Sequence, residues 1–171
     1  MLLTGSFERT VDERNRIAVP KRMRELLLAQ SAAIYLAPGT DGSLSLYSET
    51  AFTHVAEQLA HASPTAQDVR SFSRLFYAQA ERMEIDKQGR VRISAELAQF
   101  AALDKEVMLI GVGDHLEIWN KQRWQQYLAQ KQASYDELAE GAFTRGSTHA
   151  PPNPATTKEL APAPTRPTHP R

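Results

Sequence analysis

The chain has 171 residues with 20 basic and 20 acidic side chains, so its formal charge is zero, which excludes a surface that is basic all over and binds any polyanion. It has no cysteine, which excludes disulfides, thiolate metal sites and cysteine nucleophiles. The length allows one domain of ordinary size or two very small ones.

Met1-Leu2-Leu3-Thr4-Gly5 is not a basic stretch leading into a long apolar run, and no window approaches about 18 apolar residues. Neither a secretory signal nor a membrane span is expected, and the default is a cytoplasmic protein. Residues 6–12 read as a short strand and residues 15–20 as another, with a polar turn between them. Ile17 and Val19 point to one face of the second strand. Pro20 suits a first helical turn, and Met23, Leu26 and Leu27 form the apolar side of that helix. Ile34-Tyr35-Leu36, the turn Pro38-Gly39-Thr40-Asp41-Gly42 and the run Leu44 to Tyr47 read as a hairpin leading into a helix from Glu49 to Ala60. Thr65 to Met83 is predicted as one more helix, with Val69, Phe72, Leu75, Phe76 and Ala80 at helical spacing.

From Ile85 the chain repeats itself. Val11-Asp12-Glu13-Arg14-Asn15-Arg16-Ile17-Ala18-Val19-Pro20 returns 74 residues later as Ile85-Asp86-Lys87-Gln88-Gly89-Arg90-Val91-Arg92-Ile93-Ser94. Leu44 to Tyr47 is echoed by Leu116 to Trp119, and Phe52 by Trp124, with an offset of 72. Asn15 and Gly89 hold the same turn position, and both tolerate a left-handed backbone. The second copy therefore predicts a strand with Val91 and Ile93 inward, then a helix capped by Ser94 with Leu97, Phe100 and Ala101 apolar. A hairpin from Val107 to Val112 through Gly113-Asp114 to Leu116–Trp119 follows, then a helix from Lys121 to about Leu138. A copy of about 45–50 residues rarely stands alone, so the two are expected to share one core.

The expected division is a first motif unit at 5–50, connecting helices at 51–80, a second motif unit at 81–124 and a C-terminal helix at 125–146. Residues 147–171 hold seven of the ten prolines and almost no large apolar side chains. Such a segment cannot offset its ordering entropy and is expected to be disordered.

The Asp-x-x-x-Arg motif has two readings. Asp12 and Asp86 can accept backbone N–H bonds in their turns, with Arg16 and Arg90 pairing to those carboxylates or crossing to the other copy. Alternatively the arginines stand on an exposed ribbon, where a guanidinium binds phosphate or guanine edges. The two roles can coexist. From Arg14 to Arg24 lie five basic residues and no acidic one, namely Arg14, Arg16, Lys21, Arg22 and Arg24. That run is either a solvated face or a local nucleic-acid contact. Tyr47, Phe52, Trp119 and Trp124 recur in register and read as core, since a base-stacking platform would need them exposed.

Catalytic chemistry finds little support. His54 and His61 are two helical turns apart, too far for a tight metal pair, and His115 falls in a predicted turn. No Gly-rich phosphate loop or G-x-S-x-G elbow is present. No enzyme activity, metal, cofactor or small-molecule ligand is expected.

Asp12 to Pro20 with Arg24, and Asp86 to Ser94, resemble the Asp-x-x-Gly-Arg-hydrophobic-x-hydrophobic-Pro motif of the AbrB-type swapped-hairpin barrel family. Two motifs in one chain, closed by the run Gly111 to Trp124, resemble its tandem branch, the MraZ family of transcriptional regulators, over about residues 1–142. The resemblance implies an α+β fold: a duplicated barrel made within one chain as a pseudo-dimer, with flanking helices. It implies a ring-shaped homo-oligomer that binds double-stranded DNA at short direct repeats. Its targets would be promoters of the division and cell-wall gene cluster, including its own, mostly for repression, in the cytoplasm at the nucleoid. Carried over by position, the DNA contacts fall on Arg9, Arg16 and Arg24, and the matching second-copy positions are Met83, Arg90 and Ala98. The first copy is thus expected to supply most of the DNA face. Asn15 departs from the family's glycine at the turn. Two other classes remain open: an interaction scaffold recruiting partners through the proline-rich tail, and an enzyme with a site between subunits near His54 and His61.

Overall fold

The structure, a computed structural model, describes residues 2–62 and 65–146, and the expected disordered tail at 147–171 lies outside the described residues. The chain forms two units, one ending at Gln130 and one beginning at Lys131. The first copy of the repeat comprises β1 (Leu3–Thr10), β2 (Arg16–Ala18), α1 (Lys21–Leu27), β3 (Ala33–Pro38) and β4 (Leu44–Ser48). Helices α2 (Glu49–His61) and α3 (Gln67–Gln79) follow. The second copy repeats the order as β5 (Glu81–Glu84), β6 (Arg90–Arg92), α4 (Ala95–Phe100), β7 (Glu106–Gly113) and β8 (His115–Asn120), and then runs into α5 (Lys121–Gln132). Helix α6 (Tyr135–Gly146) lies in the second unit.

Neither copy closes on itself. β1 pairs antiparallel with β7 of the second copy, and β5 pairs antiparallel with β3 of the first. The hairpins β3–β4 and β7–β8 meet through β4 and β8, which gives one six-stranded sheet in the order β1-β7-β8-β4-β3-β5. β2 pairs with β6 as a separate two-stranded ribbon. Each copy lends its first strand to the other's hairpin, which is the duplicated swapped-hairpin barrel that the resemblance implied.

The registers locate the length difference between the copies. Arg9 faces Val107 and its equivalent Met83 faces Ile34, while Ile34 faces Ser48 and Val107 faces Asn120. One extra residue of the first copy therefore lies between α1 and β3, and one lies in the β3–β4 turn. Ser48 and Asn120, now equivalent, both cap the helix that follows. Ser48 Oγ accepts the Ala51 N–H at 3.2 Å, and Asn120 Oδ1 accepts the Gln122 N–H at 2.9 Å.

Equivalent apolar positions fill one interior. Ile17 and Val91, Val19 and Ile93, Met23 and Leu97, Leu36 and Leu109, Leu44 and Leu116, and Leu46 and Ile118 all belong to a single buried cluster. Burying one such leucine or isoleucine is worth about 1.5–3 kcal/mol. Half of this interior would be lost to either copy alone, so the shared core expected from repeat size is what the fold builds. A second cluster, Ala37, Tyr47, Ala51 and Phe76 with Tyr35 and Phe52, holds α2 and α3 on the outer side of β3 and β4.

Two predicted helices are corrected. The helix expected over Thr65–Met83 ends at Gln79, and Glu81–Glu84 is strand β5. Helical spacing of the apolar residues ran into a segment whose pairing with β3 decides its shape: Met83 sits opposite Ile34 in the ladder. The helix expected from Lys121 to about Leu138 breaks after Gln132. Ser134 stands just before α6, and Asp136 and Glu137 fill its first turn, a composition that favours a new helix start. The first strand also begins earlier than expected, at Leu3, because β1 follows β7 as far as Gly113.

Candidate nucleic-acid interface

The β2–β6 ribbon lies on the pseudo-twofold axis. Ile17 pairs with Val91 at its centre, Arg16 faces Arg92, and Ala18 faces Arg90. Strand alternation turns Ile17, Val19, Val91 and Ile93 into the core, where all four are buried. The same alternation turns Arg16, Ala18, Arg90 and Arg92 outward.

Each motif loop is wound around its aspartate. Asp12 Oδ1 accepts the N–H groups of Arg14 and Arg16, both at 2.9 Å, and Oδ2 accepts Arg16 Nε at 2.8 Å. Asp86 does the same with Gln88 N–H, Arg90 N–H and Arg90 Nε, each at 2.9 Å. The two pairs also cross: Arg90 Nη1 lies 3.6 Å from Asp12, and Arg16 Nη1 lies 3.9 Å from Asp86. Two carboxylates and two guanidiniums thus form one neutral cluster, and the arginine side chains are only 23% exposed. Of the two readings of the motif, the loop-shaping one is visible atom by atom.

This cluster makes the fold acid-sensitive in a defined window. Asp12 is held down to about 2, first by its bond from the Arg16 side chain and then by the Arg16 and Arg14 N–H groups, against the cost of desolvation. Asp86 is lowered mainly by the Arg90 N–H. A carboxyl depressed on folding contributes stability above its ordinary value of 3.8 and loses it as pH falls toward about 2. Thermal midpoints measured between those pH values should fall for the native chain, by an amount that solvent screening of the partly exposed carboxylates keeps modest. Asp12→Asn should flatten that fall, and an unchanged slope would remove Asp12 from the account.

Arg24 occupies an unexpected place. Its guanidinium rests on the second-copy turn, where a Cβ added to Gly89 would lie 2.5 Å from Arg24 Cζ and 2.8 Å from Nε. Arg24 Nε is buried without a hydrogen-bond partner among the described residues. The other half lacks this arrangement at both ends. Ala98 stands where the second copy would carry the arginine, and Asn15, with φ 55°, stands where the first would carry the glycine. Asn15 and Ala98 line one shallow depression together. The two departures from the repeat therefore explain each other: an arginine on the helix requires a bare turn opposite, and an alanine leaves room for a side chain. Gly89→Asn should cost about 1 kcal/mol, because the end of the flexible Arg24 side chain must shift while asparagine tolerates the backbone angle. Adding Arg24→Ala should recover most of that loss in denaturant titrations, whereas simple additivity would show that the two sites do not touch.

The remaining cations divide sharply. Arg9 donates from Nε to the Ala18 carbonyl at 3.1 Å and from Nη1 to the Glu8 carbonyl at 2.7 Å, so it buttresses the ribbon from β1. Lys21 lies 3.8 Å from Glu25 with both side chains well exposed, a pair of little energetic weight. Arg14 and Arg22 are exposed and make no ion pair among the described residues. Of the five cations in the Arg14–Arg24 run, Arg16 and Arg24 are thus committed to the protein, and Arg14, Lys21 and Arg22 face outward. Sequence reasoning passed over Arg92 and Arg82. Both are exposed, and the outward alternation of β6 was the available signal for Arg92.

The four aromatic residues that recur in register are structural. Tyr47 and Trp119 are buried, Phe52 stacks on Tyr35 at 4.2 Å, and Trp119 packs against Trp124 at 5.5 Å. His115 opens β8, packed 4.8 Å from Tyr47, while His54 is exposed on α2 beside Glu57. Among the described residues no helix is long and apolar enough to cross a membrane.

Two Asp-x-x-x-Arg loops meeting on a ribbon, over a barrel of exchanged hairpins, define a duplicated AbrB-type barrel folded as a pseudo-dimer within one chain. A family profile described as "MraZ protein, putative antitoxin-like" matches the chain twice, over residues 2–75 and 76–146. Transcriptional regulator MraZ of Lactiplantibacillus plantarum is 39% identical over 136 residues, covering 80% of this chain and 94% of the relative. The protein of the same name from Heliobacterium modesticaldum is 36% identical over 139 residues, covering 81% and 95%. That from Finegoldia magna is 35% identical over 140 residues, covering 82% and 96%. The chain belongs to the MraZ family.

Proposed function

We propose that the chain is a sequence-specific DNA-binding transcriptional regulator. In this reading it represses a division and cell-wall gene cluster, including its own promoter, as a ring-shaped oligomer on short direct repeats. It works in the cytoplasm, at the nucleoid. The relatives' shared name supports transcriptional regulation, and the name is that of a regulator, not an enzyme. The observation that carries the reading is the pairing pattern on the ribbon face. Asp12 and Asp86 fix the two loops through backbone N–H bonds, and the cations left outward in the first copy are Arg14 in the Asp12 loop and Lys21 and Arg22 at the start of α1.

A neutral chain with only a few outward cations on this face binds a duplex weakly, because each neutralised phosphate adds only one increment to a salt-sensitive affinity. Several subunits on adjacent repeats overcome this, since linked sites gain about 10²–10⁴-fold through effective concentration. The ring is therefore what lets a chain of zero net charge hold a promoter.

Arg16→Ala tests the reading. Asp12 keeps its two backbone N–H bonds and the nearby Arg90, so the loop should persist. The ribbon cluster, however, goes from neutral to negative. Operator binding should weaken while assembly, read by light scattering, stays intact. A variant that unfolds or falls to monomers would assign the motif to structure alone.

A further inference from the structure

The second copy lacks the first copy's helix cations: α4 carries Glu96 and Ala98 where α1 carries Arg22 and Arg24. It has cations elsewhere. Arg92 occupies the position of Ala18 and points outward on β6, directly opposite Arg16 in the ribbon register. One shallow depression is lined by Glu13, Arg14, Asn15, Arg16 and Arg92. A second is lined by Glu81, Arg82, Met83, Arg92, Ser94 and Ala95. Arg92 borders both, so Arg14, Arg92 and Arg82 form a continuous track from the first-copy loop across the ribbon to β5. None of these three guanidiniums makes an ion pair among the described residues, although Glu13 and Glu81 stand at the margins. Unpaired guanidiniums on a rigid strand suit phosphate oxygens, since the planar fork is already oriented.

We propose that Arg92 and Arg82 form a phosphate-binding subsite on the second copy, which grips the backbone of duplex DNA beside the first-copy contacts. The inference rests on the DNA-binding reading above. It changes the division of labour between the halves: the first copy contributes its helix and loop cations, and the second contributes cations from its strands. The two halves of the pseudo-dimer are then both engaged but chemically different, so a bound duplex is held in one polarity.

The test uses the full chain and fluorescence anisotropy with two duplexes, its own upstream region and a scrambled sequence, over a salt series. For Arg82→Gln with Arg92→Gln, the slope of log affinity against log salt should shrink by about 0.9 for each lost contact per bound chain. Affinity should fall equally on both duplexes, because phosphate carries no sequence information. Arg82→Lys with Arg92→Lys keeps the charge and should retain the slope, which separates lost charge from a damaged fold. Native-like affinity and slope in the glutamine variant would overturn the subsite while leaving the DNA reading in place. A loss shared by the lysine variant would also overturn it, since phosphate attraction survives that change. If the native chain binds neither duplex, the DNA reading itself fails and the subsite with it.

Discussion

Gly111→Ala is expected to destabilise the barrel by about 3 kcal/mol, at the upper end of what an overpacked methyl costs. The reason lies in backbone, not in side chains. Gly111 pairs with Gly5 across β1 and β7, and a Cβ there would lie 2.5 Å from Thr4 N, 2.6 Å from Leu3 C and 2.7 Å from Thr4 Cα. A side chain could swing away, but the main chain of β1 is held by its ladder to β7. Among the described residues β1 is an edge strand with no second sheet partner, so relief means lifting its first residues and exposing the fully buried Leu3. Urea titration should show a lower midpoint, and amide exchange should show β1 opening before the rest of the sheet. Gly141 in α6 is the control. An added Cβ there meets nothing within 4 Å, and Gly141→Ala should be neutral or gain up to about 1 kcal/mol from helix propensity. If Gly111→Ala were as harmless as the control, the β1–β7 approach described here would be wrong.

The largest functional effect is expected from removing the outward cations of the first copy together. Arg14→Gln, Lys21→Gln and Arg22→Gln leave the Asp12 loop bonds in place, because the loop uses the Arg14 N–H and not its side chain. At roughly 0.1 M salt each phosphate contact multiplies affinity by about 8, so three contacts per chain amount to roughly 10²–10³-fold. Anisotropy titrations should show that loss on specific and scrambled duplexes alike, with a shallower salt slope. A triple variant that binds like the native chain would move the DNA face to another part of the surface.

Much of this architecture was legible because the repeat is long and its apolar positions match. Ile17 with Val91 and Leu44 with Leu116 are buried in one core, as equivalent residues should be. The strand exchange was legible only through the family resemblance. Nothing in the residues of β1 or β5 says which copy they pair with, because the ladder is made by backbone. The same blindness hid β5, whose Met83 fits a helical spacing and a strand equally well. At the interface, the run Arg14–Arg24 reads as five equivalent charges. The fold separates them by where their partners lie: Asp12 for Arg16, and the Gly89 turn of the other copy for Arg24. That partner is 65 residues away in sequence, so no local pattern announces it. Conversely Arg92 is separated from both Arg14 and Arg82 in the sequence and joins them only when the ribbon forms.

In the proposed function, the barrel recognises promoter DNA through its ribbon face in several linked copies. The most direct test is a gel shift of the purified native chain on its own upstream region against scrambled DNA at two salt concentrations. The expected result is shifts in several steps, preference for the upstream region, and weakening at the higher salt. Equal binding to both sequences, or none, would contradict it and would turn attention to the chain as an oligomeric interaction scaffold.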